Sequence, residues 1–193
     1  QFRAPAEILA LPEPAGDGAY RKAAWHYARG EAYARQGRKE AALAEAAAIE
    51  GLMTAAGILS LDENFVPASP VLQISALTVK ARALAASDLP QAIALMREAG
   101  EIEVQLPYNE PPWWYYPTGQ TLGALLLQAG ELDEAEMVFL ETLAASPNNA
   151  WVLAGLHAVY EQKGDSASAE RSEALFNAAW LGPDNARPDV THL

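Results

Sequence analysis

Apolar residues recur at three- and four-residue intervals along almost the whole chain, as in "AAWHYARGEAYARQG" and "TLGALLLQAGELDEAEMVFLETLAA". No run alternates apolar and polar positions between hairpin turns. A period near 3.6 gathers apolar side chains on one stripe of a helix, whereas a half-buried strand needs a period of two. The helical text breaks at "QGR", "SDLP", "AGEL", "SPNN" and "KGDS", short Gly, Pro, Asn, Asp and Ser clusters that close one helix and cap the next. The pattern predicts an all-α chain of helices joined by tight turns.

The helices repeat. Leu122, Leu126, Gly130 and Ala135 are followed 34 residues later by Leu156, Tyr160, Gly164 and Ala169, which is the tetratricopeptide period. A small residue at Ala135 or Ala169 lets the second helix of a pair approach the first, and the glycine at Gly130 or Gly164 permits the reversal between them. The unit carrying Leu122, Gly123, Gly130, Ala135, Phe139 and Pro147 resembles the tetratricopeptide repeat family at most of its signature positions. A first unit resembles it through Gly30, Tyr33, Gly37 and Ala42, and a weaker second one through Ala83, Ser87, Ala92 and Met96.

The resemblance implies a right-handed α-solenoid of antiparallel helix pairs, about four irregular repeats in a single domain over 1–193. The pairs fall at 21–57, 71–106, 116–147 and 150–182, with 1–20 the remnant of a preceding segment and 183–193 a flexible tail. Spacings of 50 residues from Ala42 to Ala92 and 43 from Ala92 to Ala135 call for two insertions. One includes "LSLDENFVPASP"; the other is the aromatic stretch "YNEPPWWYYPTGQ", Tyr108 to Gln120. The fourth unit has His157 where the third has Gly123 and Glu173 where it has Phe139, so its second helix is expected to be the polar end cap that repeat arrays need. The chain is also similar to the C-terminal portion of longer bacterial repeat proteins with a "WHYARG" helix and an "EPPxWYYP" connection, a likeness that implies no particular activity.

Composition narrows the partners. A net charge of −12 has the wrong sign for a phosphate backbone or an anionic lipid surface, and no apolar run approaches the ~20 residues that span a bilayer. The expectation is a soluble protein that binds neither nucleic acid nor membrane. The chain has no cysteine, which removes disulfides and thiolate chemistry and is compatible with either the bacterial cytoplasm or the periplasm. The opening "QFRAPAEILALPEP" lacks the basic start and unbroken apolar core of a signal peptide, so the sequence reads as a processed protein or an excised fragment.

Candidate chemistry is sparse. The histidines are His26, His157 and His192, with no HxxxH or HxH pair, so local metal-ligand spacing is missing. The acidic run "ELDEAE" holds Asp133 and Glu134 at a predicted helix start, where the positive end of the dipole favours anions. No phosphate loop and no GxSxG elbow occur. No catalytic residue, metal or cofactor is therefore assigned, and the expected function is non-enzymatic.

Repeat arrays bind through the concave face made by the first helix of each pair. The third unit's frame puts Tyr27, Glu31, Ala34 and Arg35 on that face, then Leu77, Ala81 and Leu84, then Gln120, Ala124, Leu127 and Gln128, and last Ala154, Ala158 and Glu161. That surface is mostly small and apolar, suited to an amphipathic helix or an extended peptide. In the aromatic stretch the prolines set the entry angle, with Pro117 at the start of a helix. Neighbouring side chains of an extended segment point opposite ways, so some rings seal the joint and others stay accessible. Candidate binding residues are Tyr27, Glu31, Arg35, Tyr108, Glu110, Trp113, Trp114, Tyr115, Tyr116 and Gln120. The leading reading is a scaffold for a protein or peptide partner, with self-association left open. Two alternatives stand beside it: a binding or sensor module for a sugar or planar ligand, and a helical accessory region of a larger protein with its catalytic part upstream.

Overall fold

The structure, a computed structural model, describes residues 4–183 and 187–190. Among them are ten α-helices and no strand: α1 (Pro5–Leu9), α2 (Ala19–Arg35), α3 (Lys39–Leu52), α4 (Ala56–Glu63), α5 (Ala68–Leu84), α6 (Leu89–Glu103), α7 (Thr118–Ala129), α8 (Leu132–Ala145), α9 (Ala150–Lys163) and α10 (Ser166–Ala179). The all-α reading holds. Where the sequence suggests a single domain, the chain divides into two compact units, Gln1–Tyr115 and Tyr116–Leu193. The division falls within residues 104–117, which form no helix.

In the first unit α2 packs with α3 and α5 with α6, and α5 lies against both α2 and α3. Helix α5 is apolar nearly all round and is buried along most of its length, as a central helix must be. Ala23, Ile49, Ile58, Ala68, Leu72 and Ala76 form one core cluster, and Ala42, Ala46, Val79 and Ala83 another. Gly30 of α2 makes the second possible: a Cβ there would stand 2.6 Å from Val79 Cγ1. The repeat-equivalent Ala42 and Ala92 are fully buried.

One correction concerns the first insertion. The expected pair ending at residue 57 ends instead at Leu52, and the insertion builds a helix of its own, α4, which packs on α5 and α2 through the fully buried Ile58. Its N-cap, Ala55, offers no side-chain hydrogen bond, so the usual start signal is absent from the sequence.

In the second unit α7 packs with α8, α8 and α7 with α9, and α9 with α10. Gly130 and Gly164 close α7 and α9 in the left-handed region, at φ 77° and 74°, which explains why the turn glycines recur at the repeat period. Asn149 caps α9 by accepting from the amides of Trp151 and Val152, and Asp165 caps α10 by accepting from the Ser168 amide. The acidic run behaves as expected, with Asp133 and Glu134 in the first turn of α8.

The centre of this unit is Phe139, fully buried. Its ring packs on Gly123 of α7 and on Gly155 of α9: a Cβ on Gly123 would stand 2.5 Å from Phe139 Cε1, and one on Gly155 would stand 2.4 Å from Phe139 Cζ. Both first helices can therefore close on one aromatic side chain of α8. Part of the expected flexible tail is attached to its unit. Arg187 donates to both carboxylate oxygens of Glu173 at 2.7 and 2.5 Å and covers the Phe176 ring, and Val190 is buried. Residues 184–186 and 191–193, His192 included, lie outside the described residues.

Candidate functional site

The aromatic stretch splits its rings by alternation. In the first unit Trp114 is buried and meets Tyr27 of α2 edge-on, with ring centroids 5.5 Å apart, a geometry that aromatic quadrupoles favour. Its neighbours differ. Trp113 is half-buried, and Tyr115 is 78% exposed. Tyr108 is 86% exposed and its hydroxyl donates to Glu110, which raises the phenol pKa. Val104, where α6 ends, is exposed as well. One ring thus anchors the segment on α2 while two tyrosines stand in solvent. The indole N–H groups of Trp113 and Trp114 are buried and have no hydrogen-bond partner.

One turn beyond Tyr27, Glu31 accepts from Arg82 of α5. Its carboxyl pKa is raised, because burial outweighs the attraction of the Arg82 and Arg35 guanidinium groups. Arg35 itself is exposed. Of the three α2 residues among the candidate binding residues, Tyr27 is covered by the chain's own tryptophan, Glu31 is engaged with Arg82, and Arg35 has an exposed side chain.

Tyr116 and Gln120 belong to the second unit and are not surface residues. Tyr116 is 9% and Gln120 2% exposed. Gln120 Nε2 donates to the Tyr116 hydroxyl at 2.5 Å, and Gln120 Oε1 accepts from Asn149 Nδ2 at 3.2 Å. Gln120 thereby ties the start of α7 to the residue that caps α9, a structural role that removes both as recognition candidates. The apolar face needs a similar correction. Leu77, Ala81, Ala124, Leu127 and Ala154, mapped to an open groove, are each 6% exposed or less. Helices in which nearly every position is apolar give no periodic sign of which face is covered.

His26 and His157 are each satisfied within their own unit. His26 Nδ1 faces Glu45 Oε2 at 2.6 Å, and Glu45 also accepts from Arg29 Nε at 2.8 Å. His157 Nδ1 donates to the Ala169 carbonyl at 3.1 Å. Glu45, at 9% exposure, is a buried charged residue that the helical text "LAEAAAIE" does not flag. Between α9 and α10 an open cleft of about 360 Å³ is lined by His157, Tyr160, Glu161, Ser166, Glu170 and Glu173. Among the described residues no group of three His, Asp or Glu side chains is placed to hold a metal ion, and no single helix is long and apolar enough to cross a membrane. Comparison with protein-family models, with curated proteins and with solved structures finds no significant match to this chain.

Proposed function

We propose that the chain is a non-enzymatic scaffold of tetratricopeptide-like helix pairs that engages a protein or peptide partner through the outer side of its aromatic segment. The observation that carries this reading is the presentation of Tyr108 and Tyr115, 86% and 78% exposed, on a segment pinned by Trp114 against Tyr27. Large apolar side chains on soluble surfaces mark contact sites when they cluster. Tyrosine is among the residues that dominate binding energy, because it brings a wide contact area with little rotamer entropy and a polar tip. The anchor reduces the ordering cost of binding further, since a rigid loop loses less freedom on association than a mobile one.

This reading moves recognition from the apolar inner face to the rings that face outward. A photo-crosslinking residue at position 115 should capture a defined partner that the same residue at the exposed Arg38 does not. With that partner purified, Tyr115→Ala and Tyr108→Ala should each weaken binding by roughly 1–2 kcal/mol, about five- to thirtyfold. Unchanged affinity in both variants sinks the proposal.

A further inference from the structure

The N-terminal segment is held on α2 in the manner of a bound peptide. Residues 9–15, "LALPEPA", run opposite to α2, and four α2 side chains grip them in order. Arg29 Nη1 donates to the Leu9 carbonyl at 3.3 Å, and Trp25 Nε1 to the Leu11 carbonyl at 3.1 Å. Lys22 Nζ pairs with Glu13 at 3.3 Å, and Arg21 Nη2 reaches the Ala15 carbonyl at 3.5 Å. Three of the four contacts read main chain and the fourth reads a carboxylate. Apolar burial contributes little: no residue of α1 is buried and Leu11 is 43% exposed.

Arg29, at one end of the grip, is fixed by the rest of the unit and not by the segment. Arg29 is clamped by Glu45 Oε1 at 2.8 Å and donates to the Tyr33 hydroxyl at 2.9 Å, and its guanidinium lies 4.5 Å from the Trp25 ring centroid. At 100° per residue, Trp25 and Arg29 lie on the side of α2 opposite Tyr27 and Glu31, so this face is separate from the aromatic segment. In a chain of net charge −12 it gathers Arg21, Lys22 and Arg29. Beyond the end of α1, prolines at 12 and 14 bias residues 11–14 to extended backbone, which lowers the entropy lost on docking.

We propose that this face of α2 is a recognition ledge for an extended, proline-interrupted acidic peptide, filled in cis by residues 9–15 and able to take the same kind of segment in trans when the cis copy leaves. The ledge supplies carbonyl-directed donors in a fixed order plus one cation for an acidic side chain. It rests on none of the residues used for the proposed partner contact at Tyr108 and Tyr115.

The test uses the full chain and a fluorescent peptide of its own sequence, "AEILALPEPAGDG", residues 6–18. Pro12→Gly, Glu13→Lys and Pro14→Gly together loosen the cis segment without touching the ledge, and Glu13→Lys alone is the milder variant. Anisotropy should show the peptide binding the triple variant at least tenfold more tightly than the native chain, with Glu13→Lys between them. Adding Trp25→Phe, which keeps a ring and removes the N–H, should reverse the gain, and raising salt should weaken binding through Lys22. Far-UV circular dichroism establishes that each variant is folded. Equal affinity for native and loosened chains overturns the proposal, as does absence of binding to folded loosened chains or indifference to Trp25→Phe.

Discussion

The closure of α7 and α9 on Phe139 makes a quantitative prediction about Gly123. In an exposed helix interior, Gly→Ala stabilises by about 1 kcal/mol, because alanine leaves less backbone freedom to lose. At Gly123 the new methyl would stand 2.5, 2.7 and 2.8 Å from Phe139 Cε1, Cδ1 and Cζ, roughly 1 Å inside ordinary carbon–carbon contact of about 3.5–4.0 Å. The ring has no room to retreat, since a Cβ on Gly155 would already stand 2.4 Å from Phe139 Cζ and Phe139 has no exposed surface. Overpacking of this kind costs about 1–3 kcal/mol. Set against the propensity gain, Gly123→Ala should destabilise the second unit by about 1 kcal/mol, with 2 as a reasonable upper value.

The sign is what tests the reasoning. Phe139→Ala destabilises by itself, but it removes all three ring atoms, Cε1, Cδ1 and Cζ, that the methyl meets. In that background Gly123→Ala should therefore turn stabilising, by up to about 1 kcal/mol, and the coupling between the two sites should be near 2 kcal/mol, within the range seen for residues in contact. Denaturant unfolding followed by far-UV circular dichroism measures all four corners of the cycle. If Gly123→Ala raises stability equally in both backgrounds, the helix approach over Phe139 is wrong.

Two further outcomes follow from the same geometry. Replacing Trp114 by benzothienylalanine, which keeps the bicyclic shape and lacks the N–H, should leave stability unchanged or raise it by about 1 kcal/mol, since a buried donor without a partner costs the folded state its desolvation; a loss of 1 kcal/mol or more in thermal unfolding would mean that the N–H is engaged. Arg187 holds the Glu173 carboxyl below its usual value of 4.5, so the pair stabilises above that pH and its contribution fades as pH falls through the depressed pKa. Both side chains are about a third exposed, so Arg187→Ala should cost only about 0.5–1 kcal/mol at pH 7, with the gap to the native chain closing below pH 4.5; a gap that is constant from pH 7 to pH 3 refutes the ion-pair account.

The parts of the fold legible in the sequence are those set by local backbone chemistry at a fixed spacing. Gly130 and Gly164 recur 34 residues apart because both close a helix at positive φ, a conformation that penalises every side chain with a Cβ. Asn149 and Asp165 mark helix starts for an equally local reason. Helix α4 was not legible, because its cap is alanine and its one fully buried side chain, Ile58, gains meaning only from α5 and α2. The candidate site divides along the same line. Alternation along an extended segment separates Trp114, which is buried, from Tyr115, which is exposed, but only tertiary structure shows that Tyr27 is what Trp114 covers.

Gln120 shows why a polar residue on a predicted binding face misleads. Its spacing places it with Ala124 and Leu127, and nothing local distinguishes a glutamine that meets solvent from one that bridges Tyr116 and Asn149. A buried amide must spend its donors and acceptor inside the protein, and here they join the entry of α7 to the cap of α9. The N-terminal segment carries the converse lesson. Leu9, Leu11 and Ala15 are engaged through carbonyl groups, which every residue possesses, so side-chain identity left no trace of the contact. Only Glu13 carries a specific signal, and it acquires meaning once Lys22 faces it. Backbone-directed recognition is the kind of site that side-chain patterns least reveal, and in this chain it lies on the side of α2 opposite the residues that the repeat pattern singled out.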